Sequence, residues 1–256
     1  MTELVHYSAE SWVGTITLDS PHNRNALSRQ LVTELFGALA AAEADDQVKV
    51  IVLAAEGKVF CSGADLVQMA PDATGLEVHE GRGKIREVIL AMADCPLPVV
   101  AAVQGLCLAG GVGIVLGCDL VIAAEGAAFG LPEVDLGIWP FMVSALLGRH
   151  VSPKRAMEMM LSARRVPAAE ALDMGLISRV VADLPSETEA LVAALAAKPP
   201  VATRLGKAAF RSAMESSREA GLEAMQAQLS LLNSTEDASE GISAFLAKRK
   251  PKWKGR

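Results

Sequence analysis

The stretch 105-GLCLAGGVGIVLGCD-119 carries five glycines in fifteen residues, and its one acid stands at the very end. A glycine-rich turn behind an apolar run has three readings: a phosphate cradle, a packing device, or part of a catalytic site. No Gly-Lys-Ser/Thr follows, so it is not a P-loop. Nor is it a clean G-x-G-x-x-G with an acid at the right distance after a second strand. Close packing of a helix on a strand is the plain alternative, since glycine lets two backbones approach. The run before it, 97–105, reads as a buried strand introduced by prolines. Gly110 and Gly111 then precede an apolar helical run. Strand, tight turn and buried helix in succession belong to a mixed α/β fold.

Working outward, the first half alternates short β-like runs with helical patterns. Residues 12–19 alternate and carry β-branched side chains, which predicts a strand. Residues 21–28 are a turn-rich loop. In 28–45, Ser28 can cap a helix whose stripe is Leu31, Leu35, Leu39 and Ala42. Buried strands are expected at 48–55 and in 119–130, the latter with a short extended piece. From Ser152 the pattern turns helical, with Ser152 as N-cap and Pro153 at the first helical position. Further helices are expected near 185–197, 200–217, 218–233 and 236–248. Residues 68–90 give no clear pattern. The expected organisation is a mixed α/β core over 1–190 and a helical region over 191–256 whose apolar faces serve assembly.

Composition narrows the classes. The chain has 256 residues, 51% of them hydrophobic, and a formal net charge of -6. An acidic balance argues against a nucleic-acid partner. No apolar stretch approaches the ~18 residues of a membrane span, and the first residues resemble neither a signal nor a transit peptide. A cytoplasmic protein is expected. Cys61, Cys95, Cys107 and Cys118 form no C-x-x-C pair and read as buried thiols in a reducing compartment. His6, His22, His79 and His150 are scattered, so no metal site is expected.

Three more segments carry candidate chemistry. In 58-KVFCSGADL-66, Gly63 can take a backbone angle that other residues resist. The Ala64 N–H would then open a helix without an intrahelical acceptor, a seat for an oxyanion. An ordinary turn with Asp65 as its terminal charge is the alternative. In 129-FGLPEVDLGIWP-140, Glu133 stands in nearly apolar surroundings. It is either capped by amides or desolvated, and desolvation would raise its pKa toward the range useful for proton transfer. The tail 248-KRKPKWKGR-256 holds six basic residues in nine: a solvated, fraying end or a set of phosphate contacts.

Taken together, these segments resemble the crotonase superfamily, the enoyl-CoA hydratase/isomerase family. The resemblance runs over nearly the whole chain: "PHNRNALS", "FCSGADL", the opening stretch through "FGLPEVDLG", "RAMEMMLSARRVPAAEALDMGLISRVV" and "EGISAFLAKRKPKW". It implies a spiral of β-β-α turns with a C-terminal helical trimerisation region. It also implies a homotrimer or dimer of trimers, and an acyl-CoA thioester substrate with no further cofactor. The amides of Ala64 and Gly110 would hold the thioester oxygen as it becomes an enolate. Arg24, Ala26, Ser62, Asp65, Leu66 and Gly111 match positions that bind substrate and CoA. Pro132, Trp139 and Phe141 would line the acyl pocket, and Lys248 would reach the CoA phosphates.

Hydratases of the family generally use two glutamates. Glu133 matches one, and Gly113 stands where the other is expected. Hydration needs a water activated at C3 and a proton delivered to C2. Moving a double bond from C3 to C2 needs one base, which takes a proton from C2 and returns it at C4. Single-base isomerisation by Glu133 is therefore the first expectation. Hydration with a non-standard acid, such as Glu77 or Glu80, is the second. Decarboxylation and a non-catalytic acyl-CoA or RNA scaffold follow. Trp139, Phe141 and Met142 read as core packing or as a pocket wall.

Overall fold

The computed structural model describes residues 2–69 and 74–256. Strand β1 (Val5–Glu10) pairs antiparallel with β2 (Val13–Leu18), and Ser11 and Trp12 turn between them at φ 51° and 71°. The alternation from residue 12 revealed β2 but not β1. The Ser-Trp turn lacks the Asn-Gly signature that marks such hairpins. Lys49 packs on this turn, its Nζ 4.0 Å from the Trp12 ring centroid.

Helix α1 (Arg29–Ala44) starts where expected, with Ser28 Oγ accepting the Leu31 N–H at 3.2 Å. Its stripe of Leu31, Leu35, Leu39 and Ala42 is fully buried. Strands β3 (Val50–Ala55) and β4 (Val59–Cys61) precede α2 (Gly75–Asp94). The unassigned segment 68–90 thus contains most of a twenty-residue helix, and its residues 70–73 lie outside those described. A capping box starts it: Thr74 Oγ1 accepts from Glu77 N, and the Glu77 carboxylate accepts from Thr74 N at 2.8 Å. Only its C-terminal half is buried, through Ile85, Val88, Ile89 and Met92. That is why its periodicity was hard to read over the full length.

The strand–turn–strand–helix unit then repeats without any sequence repeat: β5 (Val99–Val103), β6 (Leu106–Leu108), α3 (Gly110–Gly117), then β7 (Leu120–Ala124) and β8 (Ala128–Gly130). Each turn of this spiral gives one strand to each of two sheets. Helices α4 (Phe141–His150) and α5 (Pro153–Ser162) follow, then β9 (Arg165–Pro167), α6 (Ala168–Met174) and β10 (Arg179–Val181). Ser152 stands at the N-cap of α5 as expected, though its hydroxyl makes no capping bond. The larger sheet runs β1-β2-β3-β5-β7-β10, parallel beyond β2. The smaller runs β4-β6-β8-β9, with β4, β6 and β8 parallel. The main core lies between the sheets and α1–α3. Helix α7 (Leu184–Ala196) covers the other face of the large sheet with Leu184, Leu191 and Val192.

Helices α8 (Pro200–Met214), α9 (Arg218–Asn233) and α10 (Glu236–Leu246) complete the chain. Asp119, the acid that ends the glycine-rich stretch, joins α8 to the sheets. It accepts from Val99 N at 2.8 Å and pairs with Lys207 and Arg211 of α8. The basic tail does not fray. Asp237, 2% exposed, accepts from the amides of Lys254 and Gly255. Glu240 binds Arg249 at 2.6 and 2.8 Å, and Trp253 Nε1 donates to Ala197 O at 2.8 Å. Asp237 and Glu240 lie in the last helix, too far along the chain for a local pattern to pair them with the tail.

One buried side chain fixes the loop before α1. Asn25 is left-handed (φ 51°) and fully buried. Its Nδ2 donates to Glu56 O and Val59 O, and its Oδ1 accepts from Ser20 N. Asn25→Ala strands two carbonyls and an amide and places alanine in a conformation it resists. The expected loss is about 3 kcal/mol, or roughly 6–12 °C in the thermal midpoint. A shift below about 2 °C in thermal denaturation would show that the clamp is dispensable.

Candidate active site

The parallel pairing of β4, β6 and β8 brings three chain segments to one edge, since all three strands end on the same side. Clefts outside the carboxyl ends of parallel strands are where α/β folds bind ligands. After β4 comes Ser62-Gly63-Ala64. After β6 comes Ala109-Gly110, and three residues after β8 comes Glu133. Ala109 N donates to Gly130 O at 2.9 Å, tying the second turn to β8. Leu27 N donates to Gly63 O and Ser62 N to Arg24 O, tying the first turn to the loop before α1.

Both amide-bearing turns are held in tight contact. A Cβ added to Gly110 would lie 3.8 Å from Ala64 N, so the two amides are neighbours. Neither Ala64 N nor Gly110 N donates to an acceptor among the described residues. Gly110 starts α3, whose first amides have no intrahelical partner. Ala64 does not open an α-helix, as the sequence suggested. A short 3₁₀ turn, Leu66–Met69, follows instead, with the Asp65 carboxylate accepting from Val67 N at 3.0 Å. Asp65 is thus a local cap that also accepts from Asn23 Nδ2, while Leu66 is exposed.

Glu133 lies in a 3₁₀ turn, Pro132–Leu136. Pro132 presets the turn and Gly137 (φ 72°) ends it. The Glu133 side chain is 8% exposed, and its Oε2 has no hydrogen-bond partner among the described residues. Burial raises its pKa above the ordinary carboxylate value, opposed only in part by a bond from its own amide. Asp237, already satisfied in the last helix, is the only other buried carboxylate among the described residues. Gly113 is buried in α3, and a Cβ there would meet Ile89 Cδ1 at 3.0 Å and Val143 Cγ2 at 3.4 Å, with no acid beside it.

The remaining sequence candidates are spread around this centre. Arg24 is exposed and left-handed, and Ala26 is buried beside it. Gly111 follows Gly110 in the first turn of α3. Trp139 and Met142 are partly buried against the core, but Phe141 is 76% exposed and is not core packing. Lys248 lies in the docked tail (φ 51°), remote in sequence from the three turns. A cavity of about 320 Å³ opens between α1 and α2 and is lined by Ala64, Asp65, Glu77 and Glu80 among others. Glu77 is committed to the capping box, whose bonds from Thr74 lower its pKa. Among the described residues no group of three or more His, Cys, Asp or Glu could hold a metal, and no helix is long and apolar enough to cross a membrane.

Comparison with known proteins agrees with this layout. The family model described as "Enoyl-CoA hydratase/isomerase" matches residues 8–256. The chain belongs to that family. It is 38% identical, over all of both chains, to the 2,3-dehydroadipyl-CoA hydratase of Escherichia coli. It is 40% identical to a probable enoyl-CoA hydratase of Rhizobium meliloti, covering 95% of each. An enoyl-CoA hydratase crystal structure from Mycobacterium smegmatis superposes with a TM-score of 0.95 at 34% identity, covering 98% of both chains. The human enoyl coenzyme A hydratase domain-containing protein 3 does so at 0.95 and 30%, covering 98% of this chain and all of that one. The fold is therefore the crotonase spiral, and the chain is an enzyme of that superfamily.

Because Glu133 holds its proton more tightly folded than unfolded, the wild type loses stability as pH rises from the ordinary carboxylate range through the raised value. Glu133→Gln, which cannot ionise, should melt a few degrees above wild type at neutral pH. The gap should close below about pH 4.5. Parallel melting curves across that range would contradict the buried, unpaired carboxylate.

Proposed function

We propose that this enzyme moves a double bond in an acyl-CoA thioester, converting a 3-enoyl-CoA to a 2-enoyl-CoA, with Glu133 as its single acid–base. The observation that carries this reading is the pairing of a buried, unpartnered Glu133 with an apolar environment at Gly113. The N–H groups of Ala64 and Gly110 point to the thioester oxygen. As Glu133 takes a proton from C2, the electron pair spreads through the dienolate onto that oxygen, where two fixed donors stabilise it. The same carboxylic acid then returns the proton at C4, the double bond shifts to C2–C3, and Glu133 is ionised again. No atom is gained or lost and no further cofactor is needed. A raised pKa suits a group that must both accept and give up a proton.

Substrate would enter along the loop of Arg24 and Ala26 and past Ser62, Asp65, Leu66 and Gly111. Pro132, Trp139 and the exposed Phe141 would meet the acyl chain. The CoA phosphates would find Lys248, which no acid pairs among the described residues. Exposed Phe210, Met214, Leu222, Leu229 and Phe245 on α8–α10 need a covering surface, which a homotrimer or dimer of trimers would supply.

Hydration is the second reading. The relatives named as hydratases favour it, and so does Glu80 on the cavity that Ala64 lines. Purified protein offered both substrates separates the two. The first reading expects 3-enoyl-CoA to give 2-enoyl-CoA, with Glu133→Gln slower by about 10²–10⁴-fold. Its kcat/KM should fall as pH drops through a value above the ordinary carboxylate range. Rapid hydration of 2-enoyl-CoA with 3-enoyl-CoA untouched would reverse the order. A Cβ at Gly113 meets only the ends of Ile89 and Val143, and Gly113→Glu is expected to gain hydration of 2-enoyl-CoA.

A further inference from the structure

The two amide-bearing turns interlock reciprocally. The first, Cys61 to Ala64, lacks a side chain at Gly63, where a Cβ would lie 2.5 Å from the Ala109 Cβ and 3.2 Å from Gly110 N. The second, Ala109 to Gly111, lacks one at Gly111, where a Cβ would lie 2.8 Å from Cys61 Cβ, 2.9 Å from Cys61 O and 3.0 Å from Cys61 Sγ. Each turn thus places a small knob in the hole left by a glycine of the other: the Ala109 methyl at Gly63, the Cys61 side chain at Gly111.

Two further observations show that these knobs are held in place. Cys61 is fully buried, so its side chain cannot leave the hole at Gly111 without a cavity opening in its place. Burial pushes the Cys61 thiol up to about 12, so it stays neutral and cannot serve as a nucleophile. Ala109 has φ 51° and ψ −125°, a conformation that non-glycine residues resist. Glycine would adopt it freely, yet alanine is present, and its methyl is the group that contacts the first turn.

We propose that Cys61 and Ala109 are positioning residues which together set the separation of the Ala64 and Gly110 amides. This rests on the reading that those amides hold an enolate oxygen. It adds that their spacing is governed by a thiol and a strained methyl, neither of which touches substrate. In Cys61→Ala, space opens against Gly111, so the first amide drifts. In Ala109→Gly, the strain is relieved and the contact to Gly63 is lost together, so the second amide is freer.

The test measures kcat, KM and the thermal midpoint of wild type, Cys61→Ala, Cys61→Ser and Ala109→Gly on 3-enoyl-CoA and 2-enoyl-CoA. It adds the fraction of bound acetoacetyl-CoA present as its ultraviolet-absorbing enolate. Cys61→Ala and Ala109→Gly should each lower kcat by about tenfold or more and lower the enolate fraction, with KM within about twofold. Cys61→Ser, which keeps a side chain of nearly the same size against Gly111, should recover much of the loss. Ala109→Gly should melt no lower than wild type while losing activity, an opposition that a merely structural role cannot produce. Wild-type kcat and enolate fraction in the two variants would overturn the proposal alone. A wild type that neither turns over an enoyl-CoA nor enolises bound acetoacetyl-CoA would overturn the enolate reading and this proposal with it.

Discussion

Neighbouring parallel strands lie about 4.8 Å apart, so β4, β6 and β8 oblige whatever follows them to crowd together at one edge. Only chain with almost no side chain can turn in that space. Gly63, Gly110 and Gly111 stand at the crowded positions, and the groups left facing outward are backbone amides without acceptors. The site is thus a consequence of strand pairing. The carboxylate of Glu133 arrives just after the third strand of the same row, in a short turn preset by Pro132.

Electrostatics follow from the packing. The apolar layer that buries Glu133 withholds a partner from Oε2 and raises the energy of its ionised form. Ile89 and Val143 lie against Gly113. A second acid is absent there, and helix α3 packs against α2 and α4 in its place. The proposed chemistry reflects that difference, because one carboxylate can relocate a proton but shares poorly the work of activating water and protonating carbon.

Much of this was legible in the chain itself. Ser28 and the stripe of α1 follow local capping and periodicity, and the glycine-rich stretch reads directly as turn and buried helix. Glu133 stands out as a lone acid among apolar residues. What could not be read depends on contacts distant in sequence or on patterns diluted by exposure. Helix α2 shows its stripe only over its second half, although Thr74 and Glu77 spell a capping box that marks its start. The tail 248–256 looks like a free basic end until Asp237 and Glu240 are seen to hold it. Asn25 gives no local sign that its amide reaches Glu56 and Val59.

The central claim is that one carboxylate carries a proton from C2 to C4. The most direct measurement offers 3-enoyl-CoA deuterated at C2 and locates the label in the product by mass spectrometry and NMR. The account predicts 2-enoyl-CoA with deuterium at C4, carried there by Glu133, and its formation slowed by about 10²–10⁴-fold in Glu133→Gln. Formation of 3-hydroxyacyl-CoA bearing oxygen from water, with no label at C4, would contradict it.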